Sequence, residues 1–391
     1  MVKERNKFII AGAGGIGRAV GLILADKLGF DSEIYIGDIN KKIAQEVKDW
    51  ILEGSSTVIH VEPFEIDPLE LTNEMDYVFR AGDIILDCLP GTEAPRMASY
   101  ALKYNMHYVN LTEYVQETED IIKMVADAET GFILQSGLAP GYINILAHKL
   151  YKEFIAQFGV EKVDYIKMRV GALTKNVEAP HYYAFTWSPL GVATEYIKEA
   201  NVLSNGELTK IPSLSQSNTR IIHGVAYEED FTSGGAADLP EYFKDKANNL
   251  DYKTIRYPGH YFWVKEQIKN IGNVEDPVQA LLKNMQSIVP HIEEDIIVLY
   301  ASVSGKDKNG DIRVLENSQI IHPKEIGGHM LKAIQLTTAV PMLESARMLL
   351  KGHYKGAILQ SQIEPEQFMS GPFVQMVYNQ QTNEKLMKMD R

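Results

Sequence analysis

Short apolar runs alternate with longer amphipathic stretches over the first third of the chain. The runs at 7–11, 33–37, 57–61, 83–89, 107–111 and 131–135 are rich in β-branched and other apolar residues, which suits strands covered on both faces. Between them, 15–28, 41–52, 93–104 and 114–128 space their apolar residues three and four apart, which predicts helices with one buried stripe. Strand and helix in alternation predict βαβ units and therefore an α/β, doubly wound parallel sheet.

After Gly137 the texture changes. Pro140-Gly141 interrupts the pattern, a helix is expected over 142–158, and strand-like runs follow at 163–170, 296–303 and 311–315. Within Lys306-Asp307-Lys308-Asn309-Gly310-Asp311 the glycine is misplaced for a calcium loop, so Asn309-Gly310 reads as a hairpin turn. A long helical pattern starts near Gly327-Gly328 and runs through Leu350, with Pro341 expected to break or kink it. A chain of 391 residues exceeds the size over which one core keeps growing, so more than one domain is expected. The boundaries fall at 1–137, 138–326 and 327–391.

The first strand ends at Ala11 and runs directly into Gly12-Ala13-Gly14-Gly15-Ile16-Gly17, after which Ala19, Val20, Ile23 and Leu24 take up helical spacing. In a dinucleotide-binding turn each glycine has a task. Gly12 makes the tight turn, Gly14 lets backbone approach a pyrophosphate, and Gly17 lets helix pack on strand. The pyrophosphate then meets exposed N–H groups at a helix N-terminus. Glycine-rich turns are common, but Asp38, at the end of the second strand and 21 residues beyond Gly17, stands where a ribose-binding carboxylate is expected. The plainer reading is a glycine turn and a helix-capping Asp38. As a ribose ligand, with Ile39 beside it, Asp38 repels a 2′-phosphate and favours NAD, while Lys41 and Lys42 keep NADP open. Leu89-Pro90-Gly91, at the carboxyl end of the fourth strand, either lines the cofactor or simply turns into the next helix.

Composition narrows the classes. Hydrophobic residues at 45% and charged residues at 23% exclude a disordered or fibrous chain. A formal charge of −13 repels a phosphate backbone, which argues against nucleic acid as a partner. Cys88 is the single cysteine, so no intrachain disulfide exists, and its apolar setting reads as an inert core thiol. Glu4 spoils the basic segment of an apparent leader, and no apolar run is long enough to span a membrane, so a cytoplasmic protein is expected. No metal-ligand spacing appears, and Ser233 lacks the glycine of a nucleophile elbow because Phe231 takes its place.

Beyond the glycine turn, a set of motifs resembles the saccharopine dehydrogenase family, in the branch of saccharopine reductases and lysine 6-dehydrogenases. They are Leu89-Pro90-Gly91, His107-Tyr108-Val109-Asn110-Leu111, Gly137-Leu138-Ala139-Pro140-Gly141-Tyr142-Ile143-Asn144, Trp187-Ser188-Pro189-Leu190-Gly191, Thr254-Ile255-Arg256-Tyr257-Pro258-Gly259-His260 and Thr337-Thr338-Ala339-Val340-Pro341. Gly171-Ala172-Leu173-Thr174-Lys175, followed by Pro180-His181-Tyr182-Tyr183, is most similar to the lysine 6-dehydrogenase branch. The resemblance implies a homodimer with a Rossmann domain, an inserted α/β domain carrying substrate and dimer contacts, and a C-terminal helix returning to the first domain. It implies oxidation of a carbon–nitrogen bond in lysine or a lysine-derived secondary amine. One departure concerns the site: where many saccharopine reductases carry an aspartate, this chain has Asn110, with Glu113 three residues on.

Amine oxidation needs a hydride acceptor, a deprotonated amine and a group that titrates near neutrality. Lys175, His181, Tyr183 and Glu113 are the catalytic candidates by type and position, although a histidine beside tyrosines is as often structural and a lysine as often only solvated. Arg256 is expected to clamp a substrate carboxylate in bidentate fashion, or else to form a structural ion pair. Gly137, Pro140, Gly141 and Asn144 follow the sixth strand, where they would face the substrate, and Asn144 could equally cap its helix. The leading expectation is an NAD(P)-dependent amino-acid dehydrogenase. Its rivals are an enzyme like carboxynorspermidine dehydrogenase and an NAD-binding sensor or scaffold without chemistry.

Overall fold

The computed structural model describes residues 5–26, 32–57, 59–113 and 115–379. Glu4, Leu28, Val58 and Tyr114, which enter the sequence reading, lie outside them. Two units emerge, one holding Met1–Leu138, Lys324–Leu331 and Gln335–Asn379, the other Ala139–Pro323 and Lys332–Ile334.

The first unit opens with β1 (Asn6–Ala11), α1 (Gly15–Ala25), β2 (Ser32–Asp38), α2 (Lys41–Gly54) and β3 (His60–Glu65). It continues with α3 (Asn73–Ala81), β4 (Ile84–Asp87), α4 (Ala94–Lys103), β5 (His107–Asn110), α5 (Val115–Met124) and β6 (Gly131–Ile133). The third strand starts later than its apolar residues predict and includes Pro63, a residue tolerated because β3 is the edge of the sheet. Helix α3 was not anticipated, yet its signals are local: Thr72 caps it by accepting from the N–H of Met75 at 3.2 Å, and Met75, Val78 and Phe79 form its buried stripe.

The second unit contains α6 (Tyr142–Phe158), β7 (Val163–Leu173), α7 (Pro189–Ile197), β8 (Ala200–Ser204), β9 (Glu207–Ile211), β10 (Asn218–Ile222) and β11 (Val225–Phe231). Then come α8 (Leu239–Tyr242), β12 (Ala247–Arg256), α9 (His260–Ile271), α10 (Pro277–Ile288), β13 (Ile296–Lys306) and β14 (Ile312–Ile321). Its sheet runs β10-β11-β12-β7-β13-β14, with β8 on β12 and β9 on β8, and only β12 and β7 pair in parallel. Asn309-Gly310 does turn β13 into β14, and the Asp307 carboxylate holds the turn by accepting from the N–H of Asn309 at 2.8 Å and of Asp311 at 3.1 Å. The hairpins β8–β9 and β10–β11 escaped the sequence reading because one strand of each, β9 and β10, is largely exposed and rich in polar residues. Their two-residue turns, Asn205-Gly206 and His223-Gly224, place both residues at positive φ, as primed hairpin turns require.

The chain then forms a small hairpin of β15 (Lys324–Ile326) and β16 (His329–Leu331) where a helix was expected, followed by α11 (Ala333–Lys351) and β17 (Gly356–Ile358). Pro341 does not end α11: proline removes a single helix hydrogen bond, and the buried Leu336, Val340, Leu343 and Leu349 hold both halves. β17 pairs in parallel with β6, completing a seven-stranded parallel sheet in the order β17-β6-β5-β4-β1-β2-β3. Two short helices, α12 (Pro365–Met369) and α13 (Pro372–Tyr378), close the described chain.

Candidate active site

In the first unit the glycine turn sits at the carboxyl edge of β1. Gly12 has φ +100°, and a Cβ there would stand 3.0 Å from the carbonyl of Cys88, so both backbone and neighbour demand glycine. At Gly17 a Cβ would lie 1.8 Å from the Gly12 oxygen, which is why helix and turn can meet only here. Gly14 is different: a Cβ would meet nothing within 4 Å. It is the N-cap of α1, with no side-chain cap and no acidic residue in the first turn. The positive end of α1 therefore opens onto space that a side chain at Gly14 would fill, and Gly14, Gly15 and Ile16 border it. This is a fit for a dinucleotide pyrophosphate.

Asp38 is held from two sides. Its Oδ2 accepts from the N–H of Ala13 at 3.0 Å and its Oδ1 from that of Asn40 at 3.1 Å, which fixes the carboxylate beside the glycine turn while leaving lone pairs for ribose hydroxyls. Ile39 is 60% exposed next to it. Lys41 pairs with Glu74, and Lys42 lies 3.9 Å from Glu46.

Further along the same sheet edge, Leu89 donates its N–H to Asp87 Oδ1 at 3.0 Å, and Pro90 leads into a single turn starting at Gly91. Asp87 is a site residue that the sequence reading passed over, although an acid closing the apolar Ile84-Ile85-Leu86 was the visible signal. It is 3% exposed, and burial pushes its carboxyl up to about 7, against the opposing hydrogen bonds from the Tyr108 hydroxyl (2.7 Å) and Leu89. Its neighbour Cys88 is an inert thiol driven far up by burial. At the end of β5, Asn110 accepts from the N–H of Gln135 at 2.8 Å, and its buried Nδ2 has no hydrogen-bond partner. Glu113 is half-buried beyond it, and Gly137 is buried after β6.

In the second unit, Asn144 spends its amide on structure. Its Oδ1 accepts from the N–H of Gly141 at 2.7 Å, and its Nδ2 donates to the Gly235 carbonyl at 3.1 Å, which fastens the start of α6 behind Pro140-Gly141. Lys175 lies exposed past the end of β7. His181 and Tyr183 are brought together with Arg256. The Arg256 side chain, 1% exposed at the end of β12, lies over the rings of Tyr183 at 4.8 Å and Tyr196 at 5.6 Å. Its Nε donates to the Tyr196 hydroxyl at 2.7 Å, and its Nη1 to the carbonyl of Ile255 at 2.9 Å. His260, the first residue of α9, bridges the Tyr196 hydroxyl (2.9 Å from Nε2) and the His181 carbonyl (2.7 Å from Nδ1). Burial, helped by the Arg256 charge, lowers the His260 imidazole to about 3. Tyr196 was invisible to the sequence reading, and His260 was seen only as the end of a motif.

Among the described residues no group of three or more His, Cys, Asp or Glu is placed to hold a metal, and no helix is long and apolar enough to cross a membrane.

Comparison with known proteins follows the same division. A family model described as the saccharopine dehydrogenase NADP binding domain matches residues 8–134, and one described as the saccharopine dehydrogenase C-terminal domain matches 137–381. Among curated proteins, mitochondrial alpha-aminoadipic semialdehyde synthase of Mus musculus is 23% identical over 154 residues, 38% of this chain but only 16% of that protein's length. Among solved structures, saccharopine dehydrogenase (L-Glu forming) of Saccharomyces cerevisiae superposes with a TM-score of 0.70 at 15% identity, over 93% of this chain and 96% of that one. Homospermidine synthase of Legionella pneumophila, solved with NAD, gives 0.62 at 13% identity, over 94% and 88%. At these identities the superpositions speak for the fold.

Proposed function

Because the chain belongs to the saccharopine dehydrogenase family and is an NAD(P)-binding oxidoreductase, we propose that it oxidises a carbon–nitrogen bond of lysine or of a lysine-derived secondary amine such as saccharopine. The observation that carries this reading is Arg256. The hydrogen bonds of this buried guanidinium go to a tyrosine hydroxyl and to the Ile255 carbonyl, and although the buried Glu195 acts on its charge through space, none of these bonds goes to a carboxylate. An amino-acid carboxylate is an anion of the right shape for the planar fork.

Held by Gly12, Gly14, Gly15, Ile16, Gly17 and Asp38, with Leu89, Pro90 and Gly91 further along the edge, the dinucleotide supplies the hydride acceptor. The rest falls to side chains of the chain. Arg256 orients the substrate through its carboxylate, and Tyr183 and His181 wall the cluster against water. In the first unit, Asn110 offers a neutral donor through its Nδ2 where the family resemblance expects a carboxylate. Asp87, poised near 7, holds or releases a proton at neutral pH, and Glu113 and Lys175 remain candidates for the amine proton. A cytoplasmic homodimer acting on a small amino acid, with no nucleic-acid partner, completes the reading.

One second reading, a polyamine conjugate such as carboxynorspermidine, is supported by the likeness in fold to homospermidine synthase. Absorbance of the reduced nicotinamide, followed with lysine, saccharopine and carboxynorspermidine, tests both. Turnover of none of the three, by a protein that binds NAD(P), refutes both and leaves a binding protein without chemistry. In the productive case Arg256→Lys should lower kcat/KM by one to two decades, roughly 1–3 kcal/mol, with dinucleotide affinity unchanged. Equal losses of stability and of both binding functions would instead mark Arg256 as structural.

A further inference from the structure

We propose that Tyr196 and His260 form a one-way hydrogen-bond chain that sets the plane of the Arg256 guanidinium for a ligand carboxylate, which makes them positioning residues; the inference rests on the reading of Arg256 given above. Each link has its direction fixed by the chemistry of its ends. The His181 main-chain oxygen can only accept, so His260 Nδ1, 2.7 Å away, carries the hydrogen. In a neutral ring Nε2 is then bare, and the buried setting beside Arg256 keeps the ring neutral. The Tyr196 hydroxyl, 2.9 Å from Nε2, must therefore donate to it. That leaves the Tyr196 oxygen to accept from Arg256 Nε at 2.7 Å, which is the only role open to the two atoms, since a guanidinium cannot accept.

The consequence is geometric. Arg256 is fixed at Nε by Tyr196 and at Nη1 by the Ile255 carbonyl, so its last torsions are set while Nη2 stays available to a ligand. The rings of Tyr183 and Tyr196 against the guanidinium prevent it from tilting. The chain also ties the plane of Arg256 to the backbone at His181, so three stretches of the sequence, the one around His181, α7 and the join from β12 to α9, act on one side chain. A fork held in advance loses less freedom when it binds a carboxylate than a mobile one does.

Two measurements test this. Long-range proton–nitrogen spectra of histidine-labelled protein, with His260 assigned by its loss in His260→Gln, should show the neutral Nδ1–H tautomer at pH 7; an Nε2–H or doubly protonated ring overturns the chain. Tyr196→Phe keeps the ring against Arg256 and removes only the hydroxyl. With NADH present, it should weaken binding of L-saccharopine about tenfold by calorimetry. Binding of cadaverine, a diamine without a carboxylate, and of NADH itself should not change. His260→Leu should give the same loss, His260→Gln should recover most of it by offering an oxygen in place of Nε2, and the double variant Tyr196→Phe/His260→Leu should lose no more than either single one. Additive losses, or equal losses for L-saccharopine and cadaverine, overturn the proposal. Arg256→Lys separates the two readings. If it discriminates between the ligands and Tyr196→Phe does not, the chain fails and the role of Arg256 stands; if Arg256→Lys does not discriminate, the role of Arg256 fails and the tautomer still decides the chain.

Discussion

Replacing Asp87 by Asn should make the protein more stable at alkaline pH and nearly neutral in effect at acid pH. The carboxyl is raised from an ordinary value near 3.8 to about 7, with burial the largest cause and the nearby Glu93 a minor one, while Tyr108 and Leu89 oppose the shift. A group that binds its proton more tightly when folded favours the folded state while protonated, so its contribution is complete below the unfolded value and is lost as pH rises through the folded one. The full gap of about three pH units corresponds to roughly 4 kcal/mol, of which about 2 kcal/mol falls between pH 5 and 7. Asn keeps an oxygen to accept from either Tyr108 or Leu89 and removes the charge that burial penalises. Urea midpoints of wild type and Asp87→Asn, followed by far-ultraviolet circular dichroism at pH 5, 6, 7 and 8, isolate the contribution because other groups cancel in the difference. The variant should gain relative to wild type as pH rises, levelling above pH 7. A difference that stays flat within about 0.5 kcal/mol over this range, or one that falls, refutes the assignment of a neutral Asp87 to the folded protein below pH 7.

Gly14→Val should fold normally and lose dinucleotide binding by calorimetry, because its side chain has room in the protein and fills only the cradle, whereas Gly17→Ala should lower the melting temperature itself, since its Cβ would stand 1.8 Å from the Gly12 oxygen. Asp38→Ser should raise kcat/KM with NADP relative to NAD by removing the carboxylate that repels a 2′-phosphate, and a wild-type enzyme already favouring NADP would show that Lys41 and Lys42 prevail. Arg169→Met should cost about 3–5 kcal/mol in urea unfolding, because the buried Glu229 and Asp251, 3.0 and 2.6 Å from the guanidinium, lose their shared partner.

Much of the first unit could be read from the chain alone. Apolar runs, helix-period stripes and the Gly12-Gly14-Gly17 spacing each depend on residues within one or two turns of one another, so they survive in one dimension. The spacing from Gly17 to Asp38 belongs to the same class, because one strand and one helix fix it. Helix α3 and the Asn205-Gly206 hairpin were also legible, through Thr72 as a cap before the stripe of Met75, Val78 and Phe79 and through a turn dipeptide.

Other features depend on contacts between residues far apart in the chain, and these only the tertiary structure decided. β17 joins β6 by pairing Gly356 with Gly131, a match between three-residue strands that no local pattern announces. Arg256 was recognisable as a charged residue in a motif, but its burial, and its partners on α7 and α9, come from packing. Asp87 is an ordinary acid in the sequence and becomes a group poised near neutrality only because the sheet closes over it. Local sterics and periodicity are written into neighbouring residues, while burial, strand partnership and the proton affinity of a side chain are properties of the surroundings that folding assembles.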